Sequence, residues 1–367
     1  MNMTPRERIM AVLNSEEPDK IPVFTYYLTS PLVPGGWYQR LTKRGLGTMA
    51  VATLYFSESP SPTMMIENCP YLLDVKYKQI HYIENGIKKC RHTLETPVGH
   101  ITSVMAADPL SIQIWDWHTE EYFVKQPSDW RVVNYISNGA LDKLAPTYEA
   151  MERKQDELGD SGIIVLILEK TPWQNAWVHW AGLERAAIDF HEQPEEVQEF
   201  IETEKRVHTR IAELAAESPA KFIDFNENMT DMISPKYFRE YCLPIYEIYS
   251  KQLAGTGKVL GAHMDGRVGH LKKEIAETPL KVIESFTVPP AGDISLTETK
   301  SIWPDKMIFM NCAPHLHWAE PKEVRKFYET LADEWGSKKG IILELSEDLP
   351  LETVEAHLSA AMDAFGY

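Results

Sequence analysis

Ile163-Ile164-Val165-Leu166-Ile167-Leu168-Glu169 is the stretch that decides the fold class of this chain. Its six consecutive aliphatic residues lack polar alternation, which is typical of a parallel strand covered on both faces by helices. Helix-like stretches flank it, near 143–158 on one side and near 178–190 and 194–217 on the other. The run therefore predicts one strand of an α/β protein.

The same alternation of strands and helices continues to the end of the chain. Further strands are predicted at 221–226, 258–262, 281–285, 307–310 and 340–344, and two earlier apolar runs at 21–24 and 49–54 supply two more. Helices are predicted from 235 and near 267–277, 295–301, 320–335 and 351–364. Eight such units in 367 residues predict a TIM (β/α)8 barrel, with its active site at the C-terminal ends of the strands. A doubly wound sheet is the weaker alternative, because no Gly-rich phosphate loop follows any strand.

Two segments add to this barrel. A capping box, Thr4 with Glu7, predicts an N-terminal helix rather than a signal peptide. Residues 79–94 alternate in polarity about an Asn85-Gly86 turn, which predicts a β-hairpin, and the run at 100–104 extends it to a meander. We therefore expect one domain over residues 1–367, with a β-meander insert at about 78–105.

Composition excludes several classes of protein. No run of eighteen apolar residues is present, so we expect no membrane span. A net charge of −17 repels phosphate backbones and anionic lipids, so neither nucleic acid nor a membrane is an expected partner. Four cysteines without close spacing suit a reducing compartment, which predicts a cytoplasmic protein. The sequence leaves open whether the chain forms a homodimer.

Three residues stand where a catalytic metal site would need its ligands. Glu227 and His263 follow predicted strands, and Cys242 lies on a helix that begins with Ser234 and Pro235. A carboxylate, a thiolate and an imidazole are ligands that zinc accepts, and three protein ligands leave a position for water or substrate. The alternative is a strand-end carboxylate, a half-buried thiol and a hydrogen-bonded histidine. The spacing alone does not decide between them.

Several motifs resemble the uroporphyrinogen decarboxylase superfamily. They cover nearly the whole chain in order: Thr4-Pro5-Arg6-Glu7-Arg8-Ile9-Met10-Ala11-Val12-Leu13, Glu95-Thr96-Pro97-Val98-Gly99, Ser234-Pro235-Lys236-Tyr237-Phe238, His263-Met264-Asp265-Gly266 and Gly292-Asp293-Ile294-Ser295-Leu296. The resemblance implies a TIM barrel, in agreement with the count of strands. It also implies either a decarboxylase or a zinc-dependent methyltransferase that works with a corrinoid protein.

The first predicted strand separates these two activities. The decarboxylases of the family carry arginines there, which receive the acidic side chains of a tetrapyrrole. This chain has Ile21-Pro22-Val23-Phe24-Thr25-Tyr26-Tyr27-Leu28-Thr29-Ser30, without an arginine. A substrate with many carboxylates needs cationic partners. The decarboxylase interpretation therefore loses its main support.

Ligand patterns favour one branch of the methyltransferases. Members that methylate a small thiol resemble His-x-Cys with a later Cys, whereas this chain has His263, Asp265 and Cys312 at those places. Members that demethylate aryl methyl ethers resemble Glu, a second ligand after fourteen residues and His after twenty more. Glu227, Cys242 and His263 match that spacing. The resemblance thus implies these three as the zinc ligands, with Asp265 or Cys312 as possible replacements.

The implied reaction demethylates an aromatic methyl ether and passes the methyl group to the Co(I) corrinoid (cobalamin) of a partner protein, with zinc as Lewis acid. Flat apolar walls for the ring are expected from Tyr26 and Tyr27 after the first strand and from Trp173 and Trp177 after the strand at 163–168. Glu169 ends that strand and is a candidate proton donor if burial raises its pKa. A structural role for Glu169 is an equal alternative.

Other functions remain open at this point. One is a metal-independent lyase of the decarboxylase type, which inward-pointing Arg185 and Arg267 would favour. A second is a corrinoid methyltransferase for methanol, a methylamine or a thiol, and a third is a non-catalytic binding protein on the same barrel.

Overall fold

Eight parallel strands close into a barrel in the computed structural model, which describes residues 2–26, 36–54, 74–107, 117–141, 144, 146–346, 350 and 352–367. In chain order the barrel strands are β1 (Val23–Thr25), β2 (Gly47–Ala52), β7 (Gly162–Leu168), β8 (Phe222–Phe225), β9 (Val259–His263), β10 (Val282–Phe286), β11 (Met307–Asn311) and β12 (Ile341–Leu345). Strand β1 pairs with both β2 and β12, which closes the ring. The predicted TIM barrel is confirmed.

Helices alternate with the barrel strands, as the sequence predicted. The main helices that the structure describes are Pro5–Leu13, Trp37–Arg44, Trp130–Leu141, Tyr148–Leu158, Gly182–Glu192, Glu195–Glu217, Leu243–Leu253, Lys272–Glu277, Leu296–Ile302, Pro321–Trp335 and Val354–Ala364. Short helical turns precede two of them, Pro172–Asn175 and Pro235–Tyr237, and each turn runs into a π-helix, Ala176–Ala181 and Phe238–Cys242. The predicted Thr4–Glu7 capping box is present at the start of the first helix.

Alternate residues of the barrel strands fill its interior, because side chains along a strand point to opposite faces. Large apolar side chains occupy these positions before the C-terminal ends of the strands. They form one buried cluster, which includes Phe24, Met49, Val165, Phe222, Val259, Val282, Phe309 and Ile342. Phe222 and Phe309 meet across the interior with ring centroids 5.2 Å apart. The barrel is therefore a packed core and not an open pore.

The predicted meander is a separate antiparallel sheet of four strands. Strands β3 (Lys76–Glu84), β4 (Ile87–Thr96), β5 (Gly99–Ala107) and β6 (Trp117–Glu121) pair in sequence order. Asn85 (φ 51°) and Gly86 (φ 80°) form the first turn with two positive φ angles, as tight hairpins prefer. The sequence prediction found the first three strands and missed β6.

The chain divides into two compact units. The first contains residues 1–53, 147–169 and 215–367 and holds the whole barrel, and the second contains residues 54–146 and 170–214 and holds the antiparallel sheet. The prediction of one domain over the whole chain stays a prediction. Within the described residues, no helix is long and apolar enough to cross a membrane.

Barrel closure between β2 and β7 depends on the absence of a side chain at Gly162. A Cβ atom there would lie 1.8 Å from the backbone oxygen of Thr48, to which Gly162 is paired. Because the obstacle is backbone, we expect Gly162→Ala to lower the free energy of unfolding by about 3 kcal/mol. Gly340→Ala is the control: Gly340 has φ +73° and nothing within 4 Å of its Cβ position, so only about 1 kcal/mol of backbone strain is expected. Equal shifts in denaturant midpoint for the two variants would contradict this account.

Candidate active site

A layer of polar side chains lies at the C-terminal end of the barrel interior, above the apolar core. It consists of Tyr26, Asp224, His263, Glu284 and Glu344, and each lies two or four residues beyond an inward-facing core residue of its strand, Phe24, Phe222, Val259, Val282 and Ile342. The three acidic residues, Asp224, Glu284 and Glu344, are each at most 1% exposed. Strand alternation therefore carries three acids and one histidine into the barrel at the end where TIM-barrel active sites lie. We call these five residues the polar layer.

His263 and Glu284 form the centre of the polar layer. They stand opposite each other in the register of β9 and β10, and His263 Nδ1 donates to Glu284 Oε2 over 2.6 Å. His263 Nε2 faces Asp265, whose Oδ2 lies 3.7 Å away. Burial by itself lowers the pKa of His263, but the charges of Glu284 and Asp265 outweigh it and raise this pKa well above its ordinary value. The carboxylate of Glu284 thus pairs with a cationic His263 ring, and the Nε2 atom of this ring points away from Glu284.

A distortion of β10 orients the neighbouring carboxyl group. The pairing of β10 with β11 shifts register between Ile283 and Phe286, and Ser285 has a φ of 56°. A non-glycine residue in this region of backbone space is strained and is most common at functional sites. Here the distortion frees the Ser285 N–H, which donates to Glu344 Oε1 over 2.6 Å. The bulge therefore links the carboxyl groups on β10 and β12.

Asp224 and Glu344 are held as neutral acids. Burial is the main cause that raises both pKa values well above the ordinary carboxyl range, and the nearby charge of Glu284 raises them further. Gly261 provides the space for Asp224, since a Cβ atom there would lie 2.7 Å from Asp224 Oδ1. The barrel end therefore holds carboxylic acids that can donate a hydrogen bond or a proton at neutral pH.

The predicted ligands Glu227 and Cys242 lie beside the polar layer. Both are buried, and the Tyr246 hydroxyl donates to Glu227 Oε1 over 3.2 Å. Burial, then the charges of Glu227 and Cys242, raise the pKa of Tyr246 well above its ordinary value, so this phenol stands next to both residues. Asp224 in turn interacts with both Glu227 and His263. The three predicted ligands thus border one connected set of polar side chains in the barrel unit.

Zinc fits these residues by ligand type but not by their present arrangement. Across the described residues, no group of three or more His, Cys, Asp or Glu side chains stands where it could hold a metal ion together. His263 engages Glu284 and Glu227 engages Tyr246. Cys312, the predicted replacement ligand, is fully buried, and burial raises the pKa of its thiol to about 12. A zinc site at Glu227, Cys242 and His263 therefore stays a prediction.

The residues predicted to bind the substrate fall in different places. Tyr26 belongs to the polar layer, and burial together with Glu284 and Glu344 raises its pKa well above the ordinary value. Trp173 is buried in the second unit and packs edge to face on Phe190, with ring centroids 5.0 Å apart. Trp177 is partly exposed, and Tyr27 lies outside the described residues. Glu169, the candidate proton donor, is partly buried directly after β7.

The two π-helices coincide with predicted site residues. Ala176–Ala181 contains Trp177, and Phe238–Cys242 ends at Cys242. A π-helical turn within a helix costs hydrogen-bond geometry, and such turns are frequent at functional sites. Their positions agree with a functional use of these two side chains, although sequence patterns do not predict π-turns.

Sequence analysis missed Asp224, Glu284 and Glu344 as site residues. A signal for them exists, because each replaces an apolar residue in the inward-facing phase of a strand, two positions after Phe222, Val282 and Ile342. Buried acids are rare unless they are paired or functional. An acidic residue at an inward-facing position near the end of a barrel strand, where the earlier inward-facing residues are apolar, is the pattern that would have identified all three.

Fold and site together define an α/β-barrel protein of the kind found in enzymes, with a proton-rich polar layer at its catalytic end. The model of the uroporphyrinogen decarboxylase (URO-D) family matches residues 118–366, and the chain belongs to this family. The superfamily inferred from the sequence motifs is thereby confirmed.

Comparison with solved structures agrees on the fold. A methyltransferase from Methanosarcina mazei superposes with a TM-score of 0.57 and 11% identity, over 98% of this chain and 99% of that one. At this identity the likeness concerns the fold alone. A direct comparison with curated protein sequences found no match.

The protonated state of Glu344 predicts a pH dependence of stability. Its folded-state pKa lies above the unfolded value, so the contribution of Glu344 to stability is complete at acid pH and is lost as pH rises toward the folded pKa. Glu344→Gln stays neutral at every pH and can still accept from Ser285. We therefore expect the melting temperature of the variant, relative to wild type, to increase steadily from mildly acid to alkaline pH. Glu320→Gln, at an exposed site, is the control; parallel pH profiles for wild type and Glu344→Gln would refute a neutral Glu344.

Proposed function

We propose that this protein is a methyltransferase that demethylates an aromatic methyl ether and transfers the methyl group to the Co(I) corrinoid of a partner protein. The observation that carries the proposal is the polar layer, in which neutral acids and His263 meet at the barrel end where a substrate would bind. Cleavage of a methyl ether leaves an aryl oxide, and such a leaving group needs a hydrogen-bond donor or a proton.

The distribution of charge weighs against a decarboxylase. Of the lysines and arginines described in the barrel unit, Arg8 is the one that is buried, and it bridges Asp19 over 2.6 Å. Arg267 is exposed, and Arg185 pairs with Asp189. The cation of the polar layer, His263, is already paired with Glu284, so the several carboxylates of a polycarboxylate would lose water there without gaining matching partners, which is costly. A neutral or singly charged ring avoids that cost.

The chain's own residues would supply positioning and protons. The aryl oxygen keeps the electron pair of the broken methyl–oxygen bond, and Glu169 is proposed to protonate it. The aromatic ring is proposed to be bound by Tyr26, Tyr27, Trp173 and Trp177, and Trp177 is the more accessible of the two indoles. Stacking and apolar burial suit such a ring. Partial exposure of Glu169 suits access to the substrate.

Zinc is proposed to bind at Glu227, Cys242 and His263. When bound, it would polarise the ether oxygen as a Lewis acid. Binding would have to draw the three side chains together, because they form no such set as described. The corrinoid protein is proposed to bind transiently over the C-terminal face of the barrel, since it must reach the methyl group and then leave.

Metal analysis tests the ligand assignment. We expect about one zinc per chain in the wild type, and an affinity lower by about tenfold or more in Cys242→Ala, because a thiolate ligand is removed. Cys90→Ala, which deletes a buried thiol from β4, is the matched control and should keep its zinc. Zinc retained in Cys242→Ala but lost in Cys312→Ala would move the site to His263, Asp265 and Cys312. Circular dichroism of each variant establishes that the fold is intact.

A substrate panel tests the reaction. With a reduced corrinoid protein, methoxyphenols and dimethoxybenzenes should give the absorbance change of corrinoid methylation, and removal of zinc should lower the rate far more than it weakens ring binding. Transfer from methanol, a methylamine or a thioether instead would assign another methyl donor. Carbon dioxide release from a carboxylated substrate, without metal, would assign the lyase, and ring binding without any turnover would assign a binding protein.

A further inference from the structure

Strand β10 carries one extra residue, relative to its neighbour β11, where it reaches the polar layer. The pairs Ile283–Ile308 and Phe286–Met310 bracket the irregularity, and they lie three steps apart along β10 but two steps apart along β11. The positive φ angle in this stretch, 56°, belongs to Ser285. An extra residue of this kind is a β-bulge, and bulges next to active sites re-aim side chains. We call residues 284–287 the β10 bulge.

The β10 bulge changes which side chains enter the barrel. Val282 belongs to the interior cluster and Glu284 to the polar layer, and regular alternation would bring Phe286 in after them. Instead the ring of Phe286 packs against Trp303 on the helical side of the strand, with ring centroids 6.1 Å apart. The last inward side chain of β10 is therefore a carboxylate, and His263 bonds to it.

Glu344 holds the β10 bulge from the far side of β11. A strand N–H normally bonds to the backbone of a neighbouring strand, but the Ser285 N–H donates to the side chain of Glu344, at Oε1, over 2.6 Å. Strand β12 is separated from β10 by β11 in the barrel, so this side chain reaches past a whole strand. The contact is thus a partner for the one strained backbone position of β10.

Thr287 holds the other end of the β10 bulge and ties it to the loop after β9. Its buried hydroxyl donates to the backbone oxygen of Asp265 over 2.6 Å, with the Ser285 oxygen at 3.2 Å. Asp265 Oδ2 lies 3.7 Å from His263 Nε2, whereas Glu284 accepts from Nδ1. The β10 bulge is therefore connected to the surroundings of both nitrogen atoms of the ring.

We propose that Glu344 and Thr287 are positioning residues, which hold the β10 bulge and through it the ring of His263. Glu344 acts through Glu284, and Thr287 acts through Asp265. This deepens the proposed function, because it names what sets the geometry of a predicted zinc ligand, and it rests on that function only for the role of His263. The contacts of the ring exist without metal, so they are measurable without zinc or turnover.

Nuclear magnetic resonance of the metal-free protein with isotopically labelled histidine tests Glu344. The two ring nitrogens of His263 are assigned by the loss of their signals in His263→Gln. Glu344→Leu should shift the Nδ1 signal, because the Ser285 N–H loses its acceptor and the bulge relaxes. Glu344→Gln should restore the wild-type signal, because the amide oxygen still accepts.

Glu274→Leu is the matched control for Glu344→Leu. It removes another buried acid of the barrel unit, one that pairs with Arg239, and should leave the His263 signals unchanged. An unchanged Nδ1 signal in Glu344→Leu would overturn the role of Glu344. A shift in Glu344→Gln as large as that in Glu344→Leu would also overturn it, since the acceptor would then be irrelevant.

Thr287→Val tests the second positioning residue. It preserves the shape of the side chain but removes the hydroxyl that holds the Asp265 backbone, so the Nε2 signal of His263 should shift more than the Nδ1 signal. Thr287→Ser keeps the hydroxyl and should retain both signals. Thr299→Val removes an equally buried hydroxyl, bonded to the Leu296 oxygen over 2.6 Å, and is the matched control. Wild-type signals in Thr287→Val would refute its role.

Variants of Ser285 test the bulge itself, and they keep the proposal falsifiable if Glu344→Leu fails to fold. Glycine adopts a positive φ without strain and keeps the N–H, so Ser285→Gly should preserve the His263 signals. A β-branched residue is an outlier at such a φ, so Ser285→Val should shift the Nδ1 signal as Glu344→Leu does. Wild-type signals in Ser285→Val would contradict control of the ring by the bulge.

Zinc titration separates this proposal from the proposed function. With zinc at its predicted ligands, Glu344→Leu should lower the affinity by about tenfold, as loss of an outer partner commonly does, and Glu344→Gln should lower it less. A protein that binds no zinc but shows the expected nitrogen shifts would contradict the zinc site and support the positioning role. Weaker zinc binding in Glu344→Leu without any nitrogen shift would overturn the positioning role.

Discussion

Closure of the eight strands forces every second residue into the interior of the barrel, and this constraint governs everything at its catalytic end. Lower in the barrel the positions hold large apolar side chains that pack across the axis. At the C-terminal end the same phase brings in Asp224, Glu284 and Glu344. Their burial is costly, because charged groups lose the stabilisation of water. The structure lowers that cost by pairing Glu284 with His263 and by keeping the other two acids neutral.

Local departures from regular structure make this compensation possible. The absence of a side chain at Gly261 leaves room for the carboxyl group of Asp224. Ser285 adopts a strained backbone conformation, which turns its N–H toward Glu344. Gly261 also leaves room for the core ring of Phe222, whereas the conformation of Ser285 serves the geometry of the acids. A strained backbone conformation such as that of Ser285 persists only where many surrounding interactions hold it in place.

A barrel end rich in protons suits chemistry that generates a basic oxygen more than chemistry that binds a polyanion. The same reasoning supports the proposed methyl transfer over decarboxylation, since folds of this kind host many reactions and the site decides among them. His263 is central to the site both with and without a bound metal. Its Nδ1 is committed to Glu284, so a metal would have to bind at Nε2, which faces Asp265 and carries a proton in the cationic ring. A carboxylate partner of this kind fixes both the tautomer and the orientation of the ring.

The sequence by itself determined the fold class, because hydrophobic runs of strand length separated by helices are a local signal that each segment carries alone. It also determined the meander, through the Asn85-Gly86 turn, and the family, through motifs in order along the chain. It identified His263 and Tyr26, two of the five members of the polar layer, since both lie at strand ends. Glu284 and Glu344 escaped notice because their meaning depends on which face of a strand is inward and on which strands are neighbours. Those relations arise only when the barrel closes, and the same holds for the neutral state of buried acids, which depends on surroundings contributed by distant parts of the chain.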